Sequence, residues 1–250
     1  MLDAVAPCNG APNGLATGIR SSTAQTLVIA HARLPPTTRS KPRFLGYSIS
    51  VHATRRSAHR RRRDSLHNLL IVHFRLNRVF VALDRDGTLI EYVPYLVDPE
   101  GIRVNTRAAL AVRKLNELSI PVVVITNQPV IARGLASRET VDEIHVQISA
   151  ELAKFDAFIH GYFVCPHSAD GVCDCRKPKP GLVVQAGTSL GIAPSTCVII
   201  GDSWRDIQLA RALGVPGLHV QTGPERTHDG GEKSFPDVRS AVDYLIETIV

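Results

Sequence analysis

The stretch VFVALDRDGTL, residues 79–89, runs from five apolar residues straight into two carboxylates set two positions apart, Asp84 and Asp86. A short, near-continuous apolar run of this kind suits a strand covered on both faces, and Gly87 permits a sharp turn after it. In open α/β sheets ligands meet the carboxyl ends of the strands, so these acids stand where a ligand is expected. In extended geometry residues two apart share a side. One carboxylate is then suited to attack phosphorus and help bind a cation. The other, displaced by the turn, is suited to protonate a leaving oxygen and later to activate water. A solvated turn or a calcium loop accommodates the same DxDG pattern, although the downstream acidic ligands of an EF-hand are missing.

Outward from this stretch the pattern repeats. Apolar runs fall at Pro121–Thr126, Gly161–Cys165, Thr196–Gly201 and Gly217–Gln221, and helical periodicity falls on Thr106–Leu118, Arg138–Phe155, Gly181–Leu190, Trp204–Leu213 and Val238–Ile249. The alternation predicts an α/β fold, a Rossmann-like three-layer sandwich with a mainly parallel sheet. One helix, one strand and a cysteine-bearing loop fill most of the interval from Thr126 to Lys177, which leaves no room for a large cap domain.

Charge divides the chain at the same place. Residues 1–78 hold 13 Lys/Arg against Asp3 and Asp64, a formal +11, whereas residues 79–250 hold 16 against 21 acids, a formal −5. The overall +6 therefore describes the front of the chain, and basicity gives no reason for the body to bind nucleic acid. Residues 1–77 are Ser, Thr, Pro, Ala and Arg rich with no sustained apolar period, and are read as a disordered basic leader ahead of a domain over 78–250. An organelle transit peptide, a nucleic-acid patch at Arg60–Arg63 and a non-native extension stay open as meanings of that leader. No apolar run is long enough to span a bilayer, and five sparse cysteines exclude a secreted disulfide scaffold. A cytoplasmic monomer, not bound to membrane, is expected.

Each later strand also ends on polar residues. Thr126-Asn127-Gln128 offers a hydroxyl and amides as donors to phosphoryl oxygens, or simply a polar turn. Arg176-Lys177, stiffened by Pro178 and Pro180, presents cations to a phosphoryl group, or forms a solvated basic loop. Asp202 suits a magnesium ligand and Asp206 a brace for Lys177 or for the helix start; helix capping is the plainer meaning of both. Separately, Cys165, His167, Cys173 and Cys175 supply three thiolates and an imidazole in the pattern C-x-H-x5-C-x-C, which fits a closed, structural zinc site stapling its loop. Cys197 reads as core filling and Cys8 lies in the leader.

Taken in order, DRDGTL, TNQ, CRKPKPG and GDSWRD resemble the motifs of the haloacid-dehalogenase-like phosphatases. CPH, CDCRKPKPG and TNQPVIARG are similar to the zinc-containing branch that includes D-glycero-D-manno-heptose 1,7-bisphosphate and histidinol-phosphate phosphatases. The resemblance implies Asp84 as phosphorylated nucleophile, Asp86 as general acid/base, and Thr126 and Lys177 as stabilisers of the phosphoryl group. It implies magnesium on the carboxylates of Asp84 and Asp202 and the backbone carbonyl of Asp86. Arg85, Tyr95, Asn127, Gln128 and Arg176 are expected to contact substrate, a small phosphorylated metabolite. That branch usually reads TNQSG and carries a basic residue after the last GD, where this chain has Pro129, Val130 and Ser203. Removal of the 7-phosphate from heptose 1,7-bisphosphate is the leading expectation. Histidinol phosphate hydrolysis is the alternative, and a catalytically weak zinc-stabilised binding protein with a basic arm is a third reading.

Overall fold

A computed structural model describes residues 79–225 and 233–249; the expected leader and Cys8 lie outside the described residues. The elements in chain order are β1 (Phe80–Leu83), α1 (Thr106–Glu117), β2 (Val122–Asn127), α2 (Arg138–Ala153), β3 (Gly161–Cys165), α3 (Gly181–Leu190), β4 (Cys197–Gly201), α4 (Trp204–Leu213), β5 (Gly217–Val220), β6 (Ser234–Phe235) and α5 (Val238–Ile249). Every strand pairing within the sheet is parallel, and the sheet order is β3-β2-β1-β4-β5-β6. The expected alternation is thus present, with one addition. β6 has only two residues, too few for its alternation to register in sequence.

Burial explains the strand composition. Val81, Leu83, Val122, Val124, Val198 and Ile200 face a core built with α1, α2 and α5. Their neighbours Phe80, Ala82, Val123, Ile125, Cys197 and Ile199 face a second core with α3 and α4. Successive strand side chains therefore both meet helices, which is why the runs are continuously apolar rather than alternating. Each fully buried valine or isoleucine contributes roughly 1.5–3 kcal/mol. Cys165, Cys173 and Cys175 belong to the second core, so the cysteine loop is packed against the sheet beside α3.

The chain runs from β1 outward to β3, then returns across the sheet to place β4 on the other side of β1. That reversal opens a crevice at the carboxyl ends of β1 and β4. Register aligns the two ends: Leu83 pairs with Ile200, one residue before Asp84 on one strand and two before Asp202 on the other. The helix after β4 leaves that end with a defined cap. Ser203 caps α4, and the Asp206 carboxylate returns to the Ser203 amide in a capping box. No helix among the described residues is long and apolar enough to cross a membrane.

Candidate active site

A cleft of about 400 Å³ lies over the strand ends, and its lining includes Asp84, Asp86, Thr126, Lys177 and Asp202. Lys177 is the electrostatic centre. Its ammonium lies 2.7 Å from Asp84 Oδ1 and 2.7 Å from Asp206 Oδ1, with side chains 3% and 0% exposed for Lys177 and Asp206. Burial alone would push the lysine pKa down, but the carboxylates of Asp206 and Asp84 outweigh it and hold it above the ordinary lysine value. Asp206 thus serves both roles read from the sequence, bracing Lys177 and starting α4.

Asp202 is 3% exposed, and a Cβ added to Gly223 would sit 1.6 Å from its Oδ2, while one on Gly87 would sit 2.6 Å away. The carboxylate therefore nests between two glycines that admit no side chain, with Gly87 at φ +79°. Thr88 Oγ1 donates to Asp202 Oδ1 at 3.3 Å and accepts from the Asp202 amide at 3.1 Å. Burial, then repulsion from Asp84 and Asp206, pushes Asp202 up to about 8 despite Lys177. Carboxylate oxygens of Asp84, Asp202 and Asp206 fall within 4.8 Å of one another. Hard oxygen donors so close, with more negative charge than one lysine offsets, fit a magnesium ion.

The residues expected to contact substrate all line the cleft, yet several are held by protein groups. Arg85 is 1% exposed and grips Asp86, its Nε donating to Oδ2 at 3.1 Å and its Nη2 to Oδ1 at 3.0 Å. Gln128 donates from Nε2 to Asp86 Oδ2 and to Thr126 Oγ1, both at 2.8 Å. Asn127 clamps the Lys177 backbone, donating to its carbonyl at 3.1 Å and accepting from its amide at 3.0 Å. Arg176 Nη1 donates to the His167 carbonyl at 2.9 Å, tying the cleft to the cysteine loop. Tyr95 is 55% exposed under the guanidinium of Arg133, 4.9 Å from the ring centroid.

Two of the replaced motif positions have local explanations. Val130 is 1% exposed and packs with Val141 and Val164 in a small third cluster. Ser203 Oγ accepts from the Arg205 amide at 3.1 Å as the α4 cap. Sequence reasoning did not single out Arg133, Arg205 or Glu225, which also line the cleft, nor Gly223. Gly223 and Glu225 follow β5 without a motif, so only the fold brings them to the site.

The second cluster is complete. Ligand atoms of Cys165, His167, Cys173 and Cys175 lie within 4.8 Å of one another. Cys165 Sγ is 3.8 Å from Cys173 Sγ and 3.6 Å from His167 Nδ1, which is 3.4 Å from Cys175 Sγ. Tetrahedral zinc with bonds of about 2.0–2.3 Å has ligand edges of about 3.3–3.8 Å, so the set is compatible with zinc.

Comparison with known proteins identifies the family. The HAD-hydrolase-like family matches residues 174–248. The D-glycero-β-D-manno-heptose-1,7-bisphosphate 7-phosphatase of Haemophilus influenzae is 30% identical over 177 residues, covering 68% of this chain and 92% of that protein. The chain belongs to the HAD-like hydrolases. Among this family the enzyme of the same name from Escherichia coli K12 is also 30% identical, over 68% of this chain and 88% of its own length. The crystal structure of D,D-heptose 1,7-bisphosphate phosphatase from B. bronchiseptica, complexed with magnesium and phosphate, superposes with a TM-score of 0.63 at 29% identity, covering 68% of this chain and 99% of that one. A HAD-like phosphatase structure from Mesorhizobium loti gives 0.61 at 28% identity, over 68% and 86% of the two chains.

Proposed function

We propose that this HAD-like hydrolase removes a phosphate from a small phosphorylated sugar through an aspartyl-phosphate, with the 7-phosphate of D-glycero-D-manno-heptose 1,7-bisphosphate as substrate. The observation that carries the reading is the convergence of Asp84, Asp86, Thr126, Lys177 and Asp202 on one cleft. Donors from the Arg85 amide and from Lys177 converge on Oδ1 of Asp84, both at 2.7 Å, and we assign attack on phosphorus to Oδ2. As the phosphorus–oxygen bond to the sugar breaks, Asp86 gives its proton to the departing oxygen. Lys177 and the Thr126 hydroxyl meet the charge that gathers on the phosphoryl oxygens. Asp86, now ionised, takes a proton from water as that water attacks the aspartyl-phosphate, releasing phosphate and restoring both carboxyl groups. Magnesium on the carboxylates of Asp84 and Asp202 and the carbonyl of Asp86 would neutralise phosphoryl charge in both steps.

Zinc in the Cys165, His167, Cys173 and Cys175 cluster is assigned a structural role, because a closed four-ligand shell leaves no position for substrate. Thiols gathered as ligands rather than joined in disulfides suit a reducing compartment, and we place the enzyme in the cytoplasm. The test is phosphate release from heptose 1,7-bisphosphate and histidinol phosphate, with and without magnesium, for wild type and Asp84→Asn. The expected result is magnesium-dependent turnover favouring the heptose ester, abolished in a folded Asp84→Asn protein. Preference for histidinol phosphate moves the substrate, and activity retained by Asp84→Asn removes the mechanism.

A further inference from the structure

The residue between the two motif carboxylates is buried, although a guanidinium cannot lose its charge and carries five donors that need partners. Arg85 answers that need in two directions. Toward the cleft, Nε and Nη2 form a fork on Asp86 at 3.1 and 3.0 Å. Away from it, Nη1 approaches Nε2 of His145 at 3.4 Å, from a residue sixty positions later on α2. Arginine has no lone pair to offer, so Nη1 donates and Nε2 accepts, which fixes the imidazole as neutral with its proton on Nδ1. Nδ1 stands 3.9 Å from Asp142. The ring stacks on Tyr162 at 4.4 Å with planes 12° apart, and the Tyr162 hydroxyl lies 3.0 Å from Ser149 Oγ. Burial first, then Arg85 and Arg138, lowers His145 to about 2, in keeping with the neutral ring that the hydrogen bond requires.

We propose that Arg85 is a positioning residue for Asp86, and that His145, backed by Tyr162, holds the guanidinium in place. The inference rests on the reading of Asp86 as proton donor and acceptor. A carboxyl that gives a proton in one step and takes one in the next needs a constant position, and the fork fixes its plane. The donors also divide its oxygens. Oδ2 accepts from Arg85 Nε and Gln128 Nε2, whereas among the described residues Oδ1 accepts from Arg85 Nη2 alone. Oδ1 is therefore the oxygen with room to exchange a proton. Among the described residues the Arg85 side chain bonds Asp86 and His145.

Leaving-group chemistry separates this role from a merely structural one. A sugar alkoxide must be protonated to depart, whereas p-nitrophenolate departs without help. For kcat/KM, which reports steps through formation of the aspartyl-phosphate, Arg85→Lys should lose ~10²-fold on heptose 1,7-bisphosphate. On p-nitrophenyl phosphate it should lose less than about threefold. Equal losses on both esters, or a raised KM with unchanged kcat, overturn the proposal. Should Arg85→Lys fail to fold, the His145 pair decides: His145→Leu should show the same ester-selective loss and His145→Gln, which keeps an acceptor, should recover it. Leu and Gln variants with the same ester ratio as wild type also overturn it. Wild-type protein inactive on both esters removes the underlying reading instead, and the positioning role falls with it.

Discussion

Replacing Lys177 by methionine keeps the length of the stem and removes the charge that two carboxylates share. The lysine is 4% exposed, Asp206 is 0% exposed, and both ion pairs measure 2.7 Å. Deleting one partner of a buried pair leaves an uncompensated charge and costs about 3–5 kcal/mol. At 150–250 residues each kcal/mol moves Tm by roughly 2–4 °C, so the variant should melt about 6–20 °C below wild type at pH 7. Asp206 gives the loss a direction in pH. Burial raises its pKa to about 6 even with Lys177 present. A carboxyl whose folded pKa is raised favours the fold while protonated and loses that contribution as pH rises through the folded value. Without the lysine Asp206 titrates higher still, so the deficit should narrow as pH falls from 7 to 5. Thermal unfolding followed by circular dichroism across that range is the assay. A Tm within about 2 °C of wild type at pH 7, less than one kcal/mol at this size, would refute the claim that this ion pair is buried and compensated.

Gly223→Ala should push the Asp202 carboxylate out of its nest, since the new Cβ would lie 1.6 Å from Oδ2. Magnesium titration of activity should then show ~10-fold or greater weakening, and an unchanged midpoint counts against the proposed ion site. His145, lowered by burial to about 2, stays neutral in the fold while the unfolded chain titrates near its ordinary value. Its contribution is intact above pH 6.5 and is lost as pH falls, by about 2 kcal/mol at pH 5. Urea unfolding of His145→Gln should lack that part of the acid dependence, and parallel slopes for variant and wild type contradict it. Cys173→Ala should lose bound zinc by elemental analysis and lower both Tm and turnover, because Arg176 ties the cysteine loop to the cleft. Full zinc content in the variant rules out the ligand set.

The strands were legible because both faces of the sheet are covered. Val122, Val123, Val124 and Ile125 are all fully buried, and a run like that has no other economical home. The acids at the strand ends were legible for the related reason that charge directly after such a run must meet a partner. Direction of side chains was not legible. Arg85, Asn127 and Gln128 line the cleft, and in that crowded strand end they also bond Asp86, Lys177 and Thr126, partners that their spacing does not name. Sequence spacing carries no information about which of two polar neighbours a fork will choose. Gly223 escaped notice because its requirement is set by Asp202, a residue close only in the folded chain.

Placement of β4 beside β1 has a consequence for how activity appears in time. Asp84, Thr126 and the Arg176-Lys177 segment precede β4, so a chain whose first three strands have collapsed still lacks Asp202 and the brace for its lysine. Such distant pairing is slow compared with helix growth. Recovered turnover during refolding should therefore trail the return of helical signal, and catalysis serves as a clock for the final docking event rather than for collapse.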